Sequence, residues 1–158
     1  MSGPAKGGVA GPGGGEVAGL AHIAIAARAA DPLAALLVSA FGATRGTEEL
    51  IDGGTLRIVF VHLGPVTIEL LEPRSADHTV AKFLETRGAG LHHVSLEVAD
   101  LRATLERCRS AGVKLIDEDP RRGADGSRVA FLHPRSLGGV LIELCDKAGD
   151  PKSEGPVL

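Results

Sequence analysis

Residues 90–98 read GLHHVSLEV, a segment in which apolar and polar side chains alternate behind two adjacent histidines. Such alternation predicts a β-strand, whose neighbouring side chains point to opposite faces of the sheet. His92 and His93 are therefore expected to have different roles. One imidazole faces a buried site, and the other faces a packing layer or solvent.

This segment belongs to an internal duplication that spans most of the chain. Three pairs of segments recur in the same order: GLAHIAIAA at 19–27 with GLHHVSLEV at 90–98, RIVFVHLG at 57–64 with RVAFLHPR at 128–135, and TIELLEP at 67–73 with LIELCDK at 141–147. Two long copies indicate a duplicated module, since solenoids need more and shorter repeats. We expect equivalent residues of the two copies to face each other across a pseudo-twofold axis.

Each copy predicts the element order β-α-β-β-β. The predicted strands are 21–26, 46–51, 55–63 and 65–71 in the first copy, and 92–98, 113–118, 127–133 and 139–145 in the second. Asp31, followed by Pro32, is predicted to cap the first helix, and Asp100 the second. A linker helix at about 77–87 joins the modules, which cover about 17–73 and 88–147. The predicted fold class is α+β, with two tandem βαβββ modules.

The composition excludes some partners. The chain has 158 residues, a net charge of −3, no Trp, no Tyr and four Phe. It therefore lacks the basic field and the aromatic platforms that nucleic-acid binding requires. No apolar run is long enough to span a membrane or to form a signal peptide. Cys108 and Cys145 form no paired motif, which predicts reduced thiols and a cytoplasmic location. The glycine- and proline-rich ends, 1–16 and 148–158, are predicted to be disordered tails.

Two histidines and two glutamates occupy matched positions of the duplication. His22 corresponds to His93 and Glu69 to Glu143, each in an otherwise apolar strand. A buried carboxylate is costly unless it is paired or bound to a metal. Any one such residue is more often a satisfied polar side chain, but four at matched positions predict a two-His, two-Glu metal site. These ligands suit Co²⁺, Zn²⁺, Ni²⁺, Fe²⁺ or Mn²⁺.

Three further histidines are rivals for a site. His62 and His133 also match between the copies, but their strands lie inside each module, which favours a structural role. His78 lies in a polar connection and is predicted to be solvated.

Five segments carry a resemblance to a known family: GLAHIAIA at 19–26, IELLEP at 68–73, VAKFLETRGAGLHHVSLEV at 80–98, GVKLIDEDPRRGADGSRVAFLHP at 112–134 and GGVLIEL at 138–144. On these segments the region from Leu20 to Asp146 resembles the methylmalonyl-CoA epimerases of the vicinal oxygen chelate superfamily, which includes glyoxalase I. The resemblance implies a curved mixed sheet around a metal-binding cleft, a divalent metal with Co²⁺ ranked first, an acyl-CoA substrate and a homodimer. The Asp-Pro-Asp-Gly turn that is usual before the last strand of glyoxalase-like sequences is absent here.

The resemblance also implies the roles of individual residues. The metal ligands map onto His22, His93, Glu143 and Glu69, the last of which is Gln in some members. His93 then becomes the ligand of the histidine pair, and His92 looks outward or into packing. On this parity His93 shares its face with Ser95 and Glu97, and the residues expected to supply much of the core are Leu91, Val94, Leu96 and Val98.

The implied activity is the interconversion of (R)- and (S)-methylmalonyl-CoA by α-proton abstraction, through an enolate that the metal stabilises. Glu143 and Glu69 are the expected catalytic residues, each acting as ligand and base in turn. A second acid of some members corresponds here to Arg57, which cannot act as a base near neutral pH. The nearest acid upstream is Asp52.

The loop HPRSLGG offers a candidate contact to the substrate. Arg135 and Ser136 are predicted to bind the carboxylate of the substrate or the phosphates of coenzyme A, although a plain surface turn is an equal alternative. Two other functions fit the same fold. A glyoxalase-like lyase or isomerase would use the same ligands, and a non-enzymatic drug-binding module would need aromatic walls, for which 3% aromatic residues is poor material.

Overall fold

The structure is a computed structural model that describes residues 16–147. The predicted tails, 1–16 and 148–158, lie outside the described residues apart from Glu16. The strands are β1 Val17–Ala26, β2 Thr44–Ile51, β3 Leu56–Leu63, β4 Val66–Pro73, β5 Gly90–Val98, β6 Arg121–Arg122, β7 Arg128–Leu132 and β8 Ile142–Asp146. The helices are α1 Ala30–Phe41, α2 Thr79–Arg87 and α3 Leu101–Ser110. Within residues 16–147, no helix has the length and apolar character needed to cross a membrane.

The strands form one curled mixed sheet in the order β2-β3-β4-β1-β5-β8-β7-β6. β1 pairs in parallel with β4, and β5 pairs in parallel with β8. The modules meet where β1 and β5 pair antiparallel. The strand order is therefore symmetric about this central pair, which confirms the predicted α+β duplication and the vicinal oxygen chelate architecture.

Period-two alternation divides each strand between a helix-covered face and a cavity face. On β4, Leu70 packs with Ala34 of α1, whereas Leu71 packs with Val80 of α2. On β8, Leu144 packs against Leu105 of α3. Glu69 and Glu143 directly precede Leu70 and Leu144, and they consequently point away from α1 and α3, toward the inside of the curved sheet.

Asp31 does not cap α1, so this prediction was wrong. The helix begins at Ala30, whose N–H donates to the Glu72 carboxylate of β4 at 2.7 Å. The Asp31 side chain instead binds the guanidinium groups of Arg45 and Arg57. A carboxylate from a neighbouring strand thus takes the place of a local cap. The prediction for Asp100 is confirmed, because its carboxylate accepts a hydrogen bond from the N–H of Ala103.

The strand predicted at 113–118 is absent from the described sheet, except for an isolated bridge between Leu115 and Leu132. The edge strand of the second module is instead β6, which has two residues. Asp117 uses its carboxylate to accept the N–H of Phe131, and Pro120 directly precedes β6. A side chain therefore replaces part of the ladder that the prediction assigned to backbone pairing.

Leu91 was predicted to supply core, but its side chain is 57% exposed. The cause is a break in the alternation of β5. Ala24 pairs with His93 and Ile25 pairs with Leu91. An advance of one residue along β1 is therefore matched by two residues along β5. His92 is the extra residue of this β-bulge, and the parity of the strand changes there.

Truncation of the second module's core is expected to destabilise the protein strongly. Leu144 is 2% exposed and packs against α3, so Leu144→Ala should lower the free energy of unfolding by about 2–5 kcal/mol. Equilibrium urea unfolding measures this loss. The same substitution at Leu36, which is 57% exposed on α1, is the matched control and should change the free energy little.

Candidate metal centre

The two module halves place their polar residues in two rows across the cavity face of the sheet. Directly opposite residues of paired strands share a face. One row runs through Phe60, Glu69, Ala24 and His93, and the other runs through His22, Ser95, Glu143 and Phe131. The rows are related by the pseudo-twofold axis that the duplication predicted.

His22, His93 and Glu143 converge on one point. Their ligand atoms all lie within 4.8 Å of one another. The Nε2 atoms of the two imidazoles are 3.2 Å apart, and Glu143 Oε1 lies 3.5 Å from His22 Nε2. All three side chains are buried. We call these three residues the triad.

Glu69 lies beside the triad rather than within it. Its Oε1 is 3.3 Å from Nδ1 of His22, the ring nitrogen that does not face His93. The carboxylate is buried at 7% exposure and lines the same cavity. The structure thus brings Glu69 to the site as a neighbour of a candidate ligand, and its own ligand role stays a prediction.

Burial controls the protonation of these four groups. It lowers the pKa of His22 to about 4 and the pKa of His93 to about 2, so both imidazoles are neutral at physiological pH. It also raises the pKa of Glu69 to about 8 and that of Glu143 to about 7. For Glu69 the nearby charge of Glu143 adds to the effect of burial, whereas the hydrogen bond from Ser95 opposes it at Glu143.

This donor set fits a divalent cation. Neutral imidazoles present the lone pairs that ligation requires. The pKa values of the carboxyl groups stay raised although Lys147 acts on Glu69 and Arg121 acts on Glu143, so these cations compensate the buried charge only in part. A bound metal ion would compensate it further. His22, His93 and Glu143 are therefore the residues that would hold the ion, with Glu69 adjacent.

Ser95 was not recognised from the sequence as part of the site. Its side chain is fully buried, and its hydroxyl donates a hydrogen bond of 2.7 Å to Glu143 Oε1. The alternation of the strand could have identified Ser95, because it lies two residues after His93 on the same strand face. It leaves Oε2 of Glu143 free of this bond, on the side 3.8 Å from His93 Nε2.

A further acid, Glu49, was also missed. It pairs across the sheet with Ile58, a residue of the cavity wall, and therefore faces the same side. Its carboxylate accepts the N–H of Asp125 at 3.0 Å, across the boundary between the modules, and its charge contributes to the raised pKa of Glu69. Nothing in the local pattern separates Glu49 from Glu48, since both lie in a polar strand.

Arg57 has no place in the site. Its guanidinium lies on the opposite face of the sheet, where it forms ion pairs with Asp31, Glu48 and Glu72. Arg57 therefore does not replace an acid of the cavity. Asp52 does line the cavity, but its carboxylate is paired with His78 Nε2 at 3.1 Å.

The structure does not bring Arg135 and Ser136 to the triad. They lie in a short 3₁₀ turn outside the lining of the main cavity, and the Ser136 hydroxyl accepts the N–H of Lys114. The lysine and arginine side chains that line the described cavity are Arg121 and Lys147. The guanidinium of Arg121 is held by Asp117.

Three other histidines, His62, His78 and His133, stay apart from the triad. His62 is hydrogen-bonded to Thr67, and His133 accepts the N–H of Arg135. The prediction that His78 is solvated was wrong, since its side chain is only 11% exposed. Its Nδ1 accepts the N–H of Val80, which explains why α2 begins at Thr79 rather than at 77.

The triad opens into a cavity of about 620 Å³ on the inside of the curved sheet. Both modules contribute to its wall, in which apolar side chains surround the triad, Glu69, the two basic side chains and further polar residues, among them Asp52 and Asp117. This combination of volume and few convergent polar groups is typical of a small-molecule site.

Comparison with known proteins agrees with this architecture. The profile of the Glyoxalase/Bleomycin resistance protein/Dioxygenase superfamily matches residues 21–131. The chain is 35% identical over 127 residues to the ethylmalonyl-CoA/methylmalonyl-CoA epimerase of Cereibacter sphaeroides. This match covers 79% of this chain and 95% of that protein. The crystal structure of methylmalonyl-CoA epimerase from Mycobacterium tuberculosis has a TM-score of 0.78 and 36% identity, covering 86% of this chain and 91% of that one.

A variant of the Streptomyces coelicolor methylmalonyl-CoA epimerase, in complex with 2-nitronate-propionyl-CoA, has a TM-score of 0.79 at 31% identity. The match covers 85% of this chain and 100% of that one. Fold, site and relatives lead to one assignment. The chain belongs to the glyoxalase/bleomycin resistance protein/dioxygenase superfamily and, within it, to the methylmalonyl-CoA epimerase family.

Proposed function

We propose that this protein is a divalent-metal-dependent epimerase that interconverts (R)- and (S)-methylmalonyl-CoA. The observation that carries the proposal is the convergence of two neutral imidazoles and two buried carboxyl groups on one apolar cavity. The names of the relatives reported above support an acyl-CoA thioester as the substrate class. Ethylmalonyl-CoA is a conceivable second substrate, since the Cereibacter relative is named for both acyl groups.

The metal site consists of His22, His93 and Glu143, with Glu69 proposed as the fourth ligand. A divalent cation bound there supplies Lewis-acid stabilisation of negative charge on the substrate's oxygens. The mixed imidazole and carboxylate donors suit Co²⁺, which we rank before Zn²⁺, Ni²⁺, Mn²⁺ and Fe²⁺.

Two bases are needed, because an epimerase removes the α-proton from one face and returns a proton to the other. Glu143 is one base, with Oε1 fixed by Ser95 and Oε2 available to take the proton. In the metal-free protein burial raises the pKa of this carboxyl group to about 7, which makes it a stronger base than an exposed glutamate. Glu69, at the pseudo-symmetric position, is the proposed second base.

Glu69→Gln is expected to separate proton exchange from epimerisation. With Glu143 intact, one epimer should still exchange its α-proton with D₂O, while net interconversion falls by roughly 10²- to 10⁴-fold. ¹H NMR follows the exchange, and circular dichroism follows the epimerisation. Glu49→Gln is the matched comparison on the same cavity face, and loss of interconversion in that variant with retention in Glu69→Gln would move the second base to Glu49.

The substrate's negative charges require cations at the cavity wall. Arg121 and Lys147 meet this need directly. The predicted contact of Arg135 and Ser136 stays a proposal for the more distant phosphates of coenzyme A, because both lie outside the cavity lining.

Assembly and location complete the proposal. A homodimer is supported by large apolar side chains on the surface, among them Phe41 at 65% and Leu20 at 47% exposure. Size-exclusion chromatography with light scattering tests it. A cytoplasmic location is supported by Cys108 and Cys145, which are both free thiols.

A direct assay tests the proposed reaction. The metal-loaded protein is incubated in D₂O with methylmalonyl-CoA, and in parallel with the hemithioacetal of methylglyoxal and glutathione. Deuterium incorporation at the α-carbon together with conversion of one epimer into a mixture of both supports the epimerase. Turnover of the hemithioacetal alone would make the protein a glyoxalase-like enzyme, and a purified protein that holds no metal and turns over neither compound would be a binding module.

A further inference from the structure

The imidazoles of His22 and His93 each have two ring nitrogens, and only one of the two faces the other residues of the triad. For His22 the outer nitrogen, Nδ1, lies 3.3 Å from Glu69. For His93 the outer nitrogen lies 2.9 Å from Nδ1 of His92, the adjacent residue. His92 and Glu69 therefore occupy corresponding positions toward the two ligand histidines, although they are unrelated by the duplication.

The β-bulge in β5 makes this contact possible. In a regular strand adjacent side chains point to opposite faces, which is why the sequence predicted separate surroundings for the two histidines. The extra residue of the bulge is His92, and bulges re-aim side chains next to functional sites. In the first module the corresponding bulge lies between Leu20 and His22, and its extra residue is Ala21. Only the second module thus places an imidazole at this position.

The hydrogen bond determines a tautomer. A neutral imidazole carries one N–H, and a nitrogen that binds a metal must be the unprotonated one. With His93 Nε2 facing the triad, the proton belongs on Nδ1, and His92 Nδ1 must accept it. Phe83 packs edge to face on the ring of His92, with centroids 4.8 Å apart, and so restricts the orientation of the acceptor.

We infer that His92 is a positioning residue, whose Nδ1 accepts the Nδ1–H of His93 and so holds Nε2 of His93 free for the metal ion. The inference rests on the proposed metal site. Hydrogen-bond acceptors behind ligand histidines fix ring orientation and raise ligand basicity, and their removal typically weakens metal binding by about 10- to 100-fold.

Two variants of His92 separate the hydrogen bond from packing. His92→Phe keeps an aromatic ring against Phe83 but removes the acceptor, and should raise the dissociation constant for Co²⁺ by about 10- to 100-fold. His92→Asn restores an acceptor, Oδ1, at a position close to that of Nδ1, and should bind Co²⁺ nearly as tightly as the wild type. His62→Phe is the matched control, a histidine of the same cavity wall whose partner is Thr67.

The measurements are Co²⁺ titration by calorimetry, the visible absorption of the Co²⁺-loaded protein and long-range ¹H–¹⁵N NMR of the metal-free protein. The NMR spectrum should show His93 protonated at Nδ1 in the wild type and a mixture of tautomers in His92→Phe. Equal Co²⁺ affinity of wild type and His92→Phe, or an Nε2–H tautomer of His93 in the wild type, overturns the inference alone. A wild-type protein that takes up no divalent cation removes the proposed metal site and this inference with it.

Discussion

Glu143→Gln slows exchange with D₂O of the α-proton of the epimer that Glu143 deprotonates, by roughly 10²- to 10⁴-fold. The amide has the shape of the carboxylate and can still accept the Ser95 hydroxyl, so the geometry of the site is retained. The glutamine amide cannot take up a proton near neutral pH. The expected loss is therefore chemical. It should appear in the exchange of the epimer that Glu143 deprotonates, whereas the other epimer, deprotonated by Glu69, should still exchange.

Because Glu143 is also a proposed ligand, the experiment must separate catalysis from metal binding. The exchange rate is measured at metal concentrations that saturate the variant, with occupancy determined by elemental analysis. Glu85→Gln, the same chemical change on the exposed face of α2, should exchange at the wild-type rate. Exchange of both epimers at the wild-type rate in metal-loaded Glu143→Gln would exclude Glu143 as a base.

Removal of the metal, or of one ligand, is expected to have the second large effect. Treatment with a chelator should stop exchange and lower the thermal unfolding midpoint, because a ligand that binds only the folded state stabilises it. At a metal concentration of about 100 times Kd this stabilisation is about 2.7 kcal/mol. Re-addition of Co²⁺, Zn²⁺, Ni²⁺, Mn²⁺ or Fe²⁺ in turn ranks the ions by recovered activity.

His93→Ala should eliminate the metal-dependent part of this stability. The variant loses the imidazole that lies 3.2 Å from His22, so divalent ions should no longer raise its unfolding midpoint. His62→Ala keeps the triad and should show the wild-type shift. If metal stabilised His93→Ala as much as the wild type, the ion would bind elsewhere in the protein.

Several features of the site were predictable because they depend on local pattern and on repetition. Alternation along β4 and β8 places Glu69 and Glu143 opposite apolar residues that must face α1 and α3. Duplication predicts that equivalent residues of the two modules face each other across a pseudo-twofold axis, and the structure turns both faces to one shared interior. The match of His22 with His93 follows from the same argument, and it was confirmed at a separation of 3.2 Å between their Nε2 atoms.

Other features depend on which strands become neighbours, and the local sequence does not contain that information. The carboxylate that caps α1 comes from Glu72, 42 residues away, and not from Asp31. The arginine that stood in the place of an expected acid proved to lie on the other face of the sheet. Glu49 faces the cavity side of the sheet because it pairs with Ile58, and it reaches the second module through the N–H of Asp125.

The sequence by itself determined that the chain has two related halves and that each supplies an imidazole and a carboxylate at matched positions, because repeated patterns of apolar and polar residues must bury the same faces. The single curved sheet was an expectation from the family resemblance. Only the tertiary structure decided how those groups are arranged. A single extra residue in β5 shifts the pairing with β1, and this turns His92 from an expected outward or packing residue into a neighbour of His93. Such a shift depends on the pairing of two strands far apart in the chain, so the pattern of either strand alone does not reveal it.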